Sequence, residues 1–132
     1  MPIPGSDEDG NVAGDFAQFD LIREIADSER RKPWPSGIHA RTLTKKPDLR
    51  VVLICMETAA RLKEHHVDGT SSVQVLQGHI RYSTRGQAYD LQAGSLITLS
   101  ASVEHEVESL DESAFLLTIS WPGNQHRRVS AA

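Results

Sequence analysis

The sequence predicts an all-β barrel or sandwich preceded by one short amphipathic helix. Three observations predict it. From about residue 38 onward, short runs rich in Val, Ile, Leu and Thr alternate apolar and polar positions with a period of two. Between those runs stand turn residues, among them Lys46-Pro47-Asp48, Asp68-Gly69, Gln77-Gly78, Arg85-Gly86 and Ala93-Gly94, which supply the fixed or positive φ angles of tight turns. Ahead of the runs, Phe16, Phe19, Ile22 and Ile25 recur at helical spacing, with Arg23, Glu24, Asp27 and Arg30 between them.

Residues 1–14, MPIPGSDEDGNVAG, join Pro, Gly and a short acidic run with almost no bulky apolar side chain, the composition of a solvated tail. The helix is predicted from Asp15, as its cap, to about Arg31. Lys32-Pro33-Trp34-Pro35-Ser36-Gly37 ends it, because two prolines and a glycine cannot continue a helix. Trp34 is expected to be exposed or to lie across the barrel edge. Residues 15–37 thus form a helix and connector, and residues 38–122 form the barrel. Strands are predicted near His39 to Thr44, Arg50 to Glu57, Ala60 to His65, Ser71 to Leu76, Ile80 to Thr84, Ala88 to Leu91, Ser95 to Ser100, His105 to Glu108 and Ala114 to Ser120. Residues 123–132 are read as a polar tail.

Composition excludes several function classes. The 132 residues suit one domain with one core. The formal charge of -4 is spread without a basic stripe, so nucleic acid is not an expected partner. No apolar run reaches the ~20 residues of a membrane span, and no basic-then-apolar leader opens the chain. A cytoplasmic location is expected. The single cysteine, Cys55, lies inside Val51-Val52-Leu53-Ile54-Cys55-Met56, where it reads as a buried structural thiol, and it excludes an internal disulfide.

The segment from Glu64 to Gly78 resembles the first motif of the cupin superfamily, which sets two histidines one residue apart, then a glutamate, then a turn glycine after the strand. Counted back from Gly78, Ser71 fills the glutamate slot, and the histidine slots fall on Glu64 and His66 or on His65 and Val67. The second motif lies on Gly94 to Ser109. Gly94 and His105 match it directly, while Ser100, Ser102 and Ser109 replace its proline, glycine and asparagine. The resemblance runs from about Ala40 to Trp121, and the chain looks like small bacterial cupin-domain proteins that mostly lack an assigned activity.

The resemblance implies a jelly-roll barrel, a homodimer and, where a metal is present, histidine and carboxylate ligands facing inward. Imidazole and carboxylate donors on adjacent strands suit Mn, Fe, Ni, Cu or Zn. Glu64, His65, His66 and His105 are the candidate ligands. Adjacent strand residues point to opposite faces, so one of His65 and His66 is expected to enter the barrel, or both if the strand end turns. His105 and Tyr82 are the candidate catalytic groups, and Tyr89 a further phenol. Three functions are expected from this set. One is a metal-dependent dioxygenase, isomerase or lyase on a small polar substrate. Another is a metal-free barrel that senses a small ligand or uses its histidines as acid and base. The last is a dimeric accessory protein whose helix covers the partner's sheet edge. His39, His79 and His126 are read as surface residues, and Glu104, Glu106 and Glu108 as one solvated strand face flanking His105.

Overall fold

The computed structural model describes residues 15–63 and 67–122. Its helix α1 spans Leu21–Glu29, with Asp20 rather than Asp15 as cap: the Asp20 carboxylate accepts from the Arg23 N–H at 3.2 Å. Both aspartates offer the same chemistry. The helix begins at the one from which Leu21 and Ile25, a turn apart, reach the sheet. Phe16 and Ile22 fall outside that contact and are 80% and 82% exposed.

After α1 the chain passes through a cis Lys32–Pro33 bond and a short 3₁₀ turn, Pro35–Gly37. Nine strands follow: β1 (Ile38–Lys46), β2 (Leu49–Met56), β3 (Arg61–Leu62), β4 (Thr70–Gln77), β5 (His79–Thr84), β6 (Gln87–Gln92), β7 (Leu96–Leu99), β8 (His105–Ser109) and β9 (Ser113–Ser120). They coincide with the predicted runs to within two residues at each end, except that β3 ends at Leu62, while its predicted end at His65 lies outside the described residues. Every pairing is antiparallel. One sheet has the order β1-β2-β9-β4-β7 and the other β3-β8-β5-β6. The two face each other as a jelly-roll barrel.

The inner core joins Val52, Ile54 and Met56 of β2 to Val73, Val75, Ile80, Tyr82, Val107 and Phe115. A second core lies on the outer face of the five-stranded sheet, where Leu53 and Cys55 of β2 pack with Trp34, Leu43 and Ala114 beneath Leu21 and Ile25. Strand β2 is therefore apolar on both faces, which is why Val51 to Met56 reads as a continuous run rather than an alternation.

This second core corrects two expectations. Trp34 is buried, at 5% exposure, and its indole N–H donates to the Ser28 carbonyl at 2.8 Å. His39 is half-buried rather than on the open surface. Its Nδ1 lies 2.9 Å from the Ser28 hydroxyl and its ring stacks on Trp34 at 6.1 Å. Period two points His39 outward from the inner core, but α1 turns that outward face into an interior. The helix thus covers the outer face of its own sheet. Cys55, directly across from His39 in the β1–β2 register, is buried as expected, and burial raises its thiol pKa.

Candidate functional site

One end of the barrel collects the polar side chains that face inward. On the four-stranded sheet, Tyr82 pairs with Val107 and Thr84 with His105. Tyr82 and Val107 belong to the inner core, and strand residues two apart share a face, so Thr84 and His105 also point into the barrel. Tyr89 stands opposite Tyr82 on β6 and is 43% exposed at the rim. On the five-stranded sheet a row of register partners crosses the same end: Leu99, Ser71, Ile119 and Arg50. Residues 100–104 connect Leu99 directly to His105, which sets the two rows at one mouth. Leu62, Ile97, Leu99 and Leu117 face the core yet are only partly buried, so the interior is open to solvent along them.

His105 is held from two sides. Its ring lies parallel to that of Tyr82, with centroids 5.2 Å apart and an interplanar angle of 7°. Its Nδ1 is 3.3 Å from the Val103 carbonyl oxygen. A carbonyl only accepts, so Nδ1 is the donor in this contact. Tyr82 is 1% exposed and backs this ring rather than standing at the mouth.

The remaining predicted residues separate. Glu64, His65, His66 and His126 lie outside the described residues. Ser71, in the glutamate slot, does face inward and is buried, between Leu99 and Ile119. Ser109 is also buried, and Ser102 adopts a φ of 69° in the loop before β8. Glu106 and Glu108 lie on the outer face of β8, where Arg61 pairs with them at 2.7 and 3.5 Å. Both keep about a third of their side-chain exposure beside that arginine, and Glu104 is exposed, so this face is solvated as expected. His79 is half-buried, 3.8 Å from a carboxylate oxygen of Asp90. The Asp90 carboxyl is held below its usual range, chiefly by its hydrogen bond with Arg81.

Among the described residues no three His, Cys, Asp or Glu side chains come together as a metal site. Among the described residues the donor set at the mouth is His105 alone, with a serine and apolar neighbours where a carboxylate ligand would stand. One imidazole does not hold a divalent ion. Glu64, His65 or His66 would have to complete the set.

Sequence reading missed Arg50 and Trp121. Arg50 shares the inward face of β2 with Val52, Ile54 and Met56, and its guanidinium lies 5.5 Å from the Trp121 ring centroid. Period two, counted back from Val52, would have found it.

The sequence profile of the AraC-like ligand binding domain matches residues 50–130. None of the curated proteins matches the chain. Among solved structures, a cupin superfamily protein from Desulfitobacterium hafniense aligns with a TM-score of 0.64 at 14% identity, over 70% of this chain and 85% of that one. A conserved protein of unknown function from Streptococcus pyogenes gives 0.67 at 19% identity, over 85% and 92% of the two chains. An RmlC-like cupin from Shewanella frigidimarina gives 0.62 at 20% identity, over 65% and 78%. These likenesses are of fold.

Proposed function

The chain belongs to the AraC-like ligand binding domain family, and from that premise we propose that its barrel takes up a small polar molecule at the mouth marked by His105. The observation that carries this reading is the His105–Tyr82 stack. A half-buried imidazole held parallel to a buried phenol, on the inward face of the barrel, has its position fixed before any ligand arrives. The imidazole is then placed to meet a polar group of the ligand. Thr84 beside it offers a hydroxyl, although that group already donates to the Glu104 carbonyl at 2.7 Å. Leu62, Ile97, Leu99 and Leu117 supply apolar contact for the rest of the molecule. Tyr82 acts as a positioning residue beneath His105.

An imidazole that donates Nδ1–H to a backbone carbonyl is also oriented as a metal ligand. A divalent ion enters this reading only with Glu64, His65 or His66 as further donors. When bound, it would supply a Lewis acid at the same mouth.

A thermal-shift screen of neutral sugars, polyols and small amides tests the proposal, followed by titration of each hit with the His105 imidazole signals observed by NMR. The expected result is a hit that moves those signals and binds His105→Ala about tenfold more weakly, the loss of roughly one hydrogen bond to the imidazole. Hits that bind His105→Ala equally well and leave the imidazole signals in place would overturn it.

A further inference from the structure

Arg50 has no evident structural duty as a charge. Its neighbours on the inward face of β2 are Val52, Ile54 and Met56, all in the core. Its cross-strand partner on β9 is Ile119, which is 5% exposed, and its partner on β1 is Lys45, a second cation. Like charges directly opposite on a sheet destabilise the pair. No described carboxylate forms an ion pair with Arg50, and its Nε is enclosed without a hydrogen-bond partner among the described residues. A buried donor left unmade costs stability. The guanidinium meanwhile lies 5.5 Å from the Trp121 ring centroid, and the Trp121 backbone N–H donates to the Asp48 carbonyl at 3.0 Å. A guanidinium that is held against an aromatic ring and that no described carboxylate pairs with is an arrangement for receiving an anion.

We propose that the molecule bound in the barrel is a small organic acid whose carboxylate is held by Arg50 at the mouth, beside Trp121, while its body lies inward along Ile119 and Leu99. This deepens the ligand-binding reading above and rests on it. A guanidinium presents a planar fork of donors that matches a carboxylate. Lys45 adds positive potential at the rim, and Ile119 and Leu99 set an apolar wall that favours an acid with a hydrocarbon or aromatic body over a small hydrated ion. His105, on the facing sheet at the same end, is placed to meet a polar group on the other side of the ligand.

Matched acid and amide pairs test the proposal: benzoate against benzamide and lactate against lactamide, titrated by calorimetry and by NMR of the His105 imidazole at constant ionic strength. Benzoate is expected to bind about tenfold or more tightly than benzamide, the difference of one charge-assisted contact. Arg50→Gln should erase that preference, Arg50→Lys should restore part of it, and thermal melts of each variant establish that it is folded. An acid preference that survives in folded Arg50→Gln, or acids and amides that bind alike, would overturn the carboxylate site. So would inorganic phosphate binding through Arg50 in place of the acids. If both members of a pair bind and shift His105 with no dependence on Arg50, the carboxylate site falls and the ligand-binding reading stands. If no acid binds, the carboxylate site falls as well, and the screen of neutral compounds decides the ligand-binding reading separately.

Discussion

Gly78 sits at the tight turn between β4 and β5, where the chain crosses from one sheet to the other. Its φ is +87°, and a Cβ built there would lie 2.3 Å from the Glu112 carbonyl oxygen and 2.4 Å from the Ser113 hydroxyl. Gly86, in the β5–β6 turn, has a similar φ of +78° with nothing within 4 Å of an added Cβ. The two positions separate backbone strain from steric clash. Gly86→Ala should cost about 1 kcal/mol, the penalty of left-handed backbone alone. Gly78→Ala should cost about 3 kcal/mol or more, because the opposing backbone must also move. Urea unfolding of both variants checks the pair, and equal losses would contradict the clash. His39 shows burial acting on charge at the same scale. Burial between Trp34 and Ser28 lowers its pKa from 6.5, and the Arg31 and Arg41 charges add to the effect. The folded state therefore favours the neutral ring. Stability from this residue is present above the unfolded value of 6.5 and declines as pH falls through it toward the lower folded value. Denaturant midpoints measured across that window should fall more steeply for the natural chain than for His39→Gln.

At the scale of elements, α1 is held by what it covers. It is a short helix, and isolated helices of this length are marginal in water, so its stability comes from the apolar stripe of Leu21 and Ile25 on the sheet. Trp34 anchors the segment that follows. Its indole donates to the Ser28 carbonyl near the helix end, stacks on His39, and carries the Lys32 ammonium 4.8 Å above its ring. Lys32 also pairs with Glu112, in the turn before β9, which ties the connector to the far side of the sheet. Trp34→Ala is expected to destabilise the protein by about 3–5 kcal/mol, as for other buried aromatic truncations. Amide exchange should rise first in Leu21–Glu29, before the strands. Uniform protection loss across the barrel would instead mean that helix and barrel unfold as one unit.

For the whole molecule, two sheets closed around an apolar interior leave a container with one polar mouth. Whether that mouth also holds a metal depends on Glu64, His65 and His66, because the described residues bring His105 alone. Elemental analysis of protein purified without a chelating column settles the matter. A metal-bound barrel should carry close to one equivalent of one transition metal, lost in His105→Ala, whereas less than about a tenth of an equivalent would exclude a resident ion.

The strand pattern, the turns and the inward face of β5 and β8 were legible in the sequence, because alternation with a period of two is a local property and each run carries it whole. The match of His105 to a motif histidine was legible for the same reason. The helix start was not, since Asp15 and Asp20 offer equal caps and only the contact of Leu21 and Ile25 with the sheet chooses between them. Trp34 and His39 were misread because period two tells which side of a strand a residue faces and says nothing of what lies on that side. The sequence by itself determined an all-β barrel with a histidine inside it. Only the tertiary structure decided that the outer face is a second core and that Arg50 meets Trp121 at the mouth, because those neighbours are far apart along the chain and are joined by packing alone.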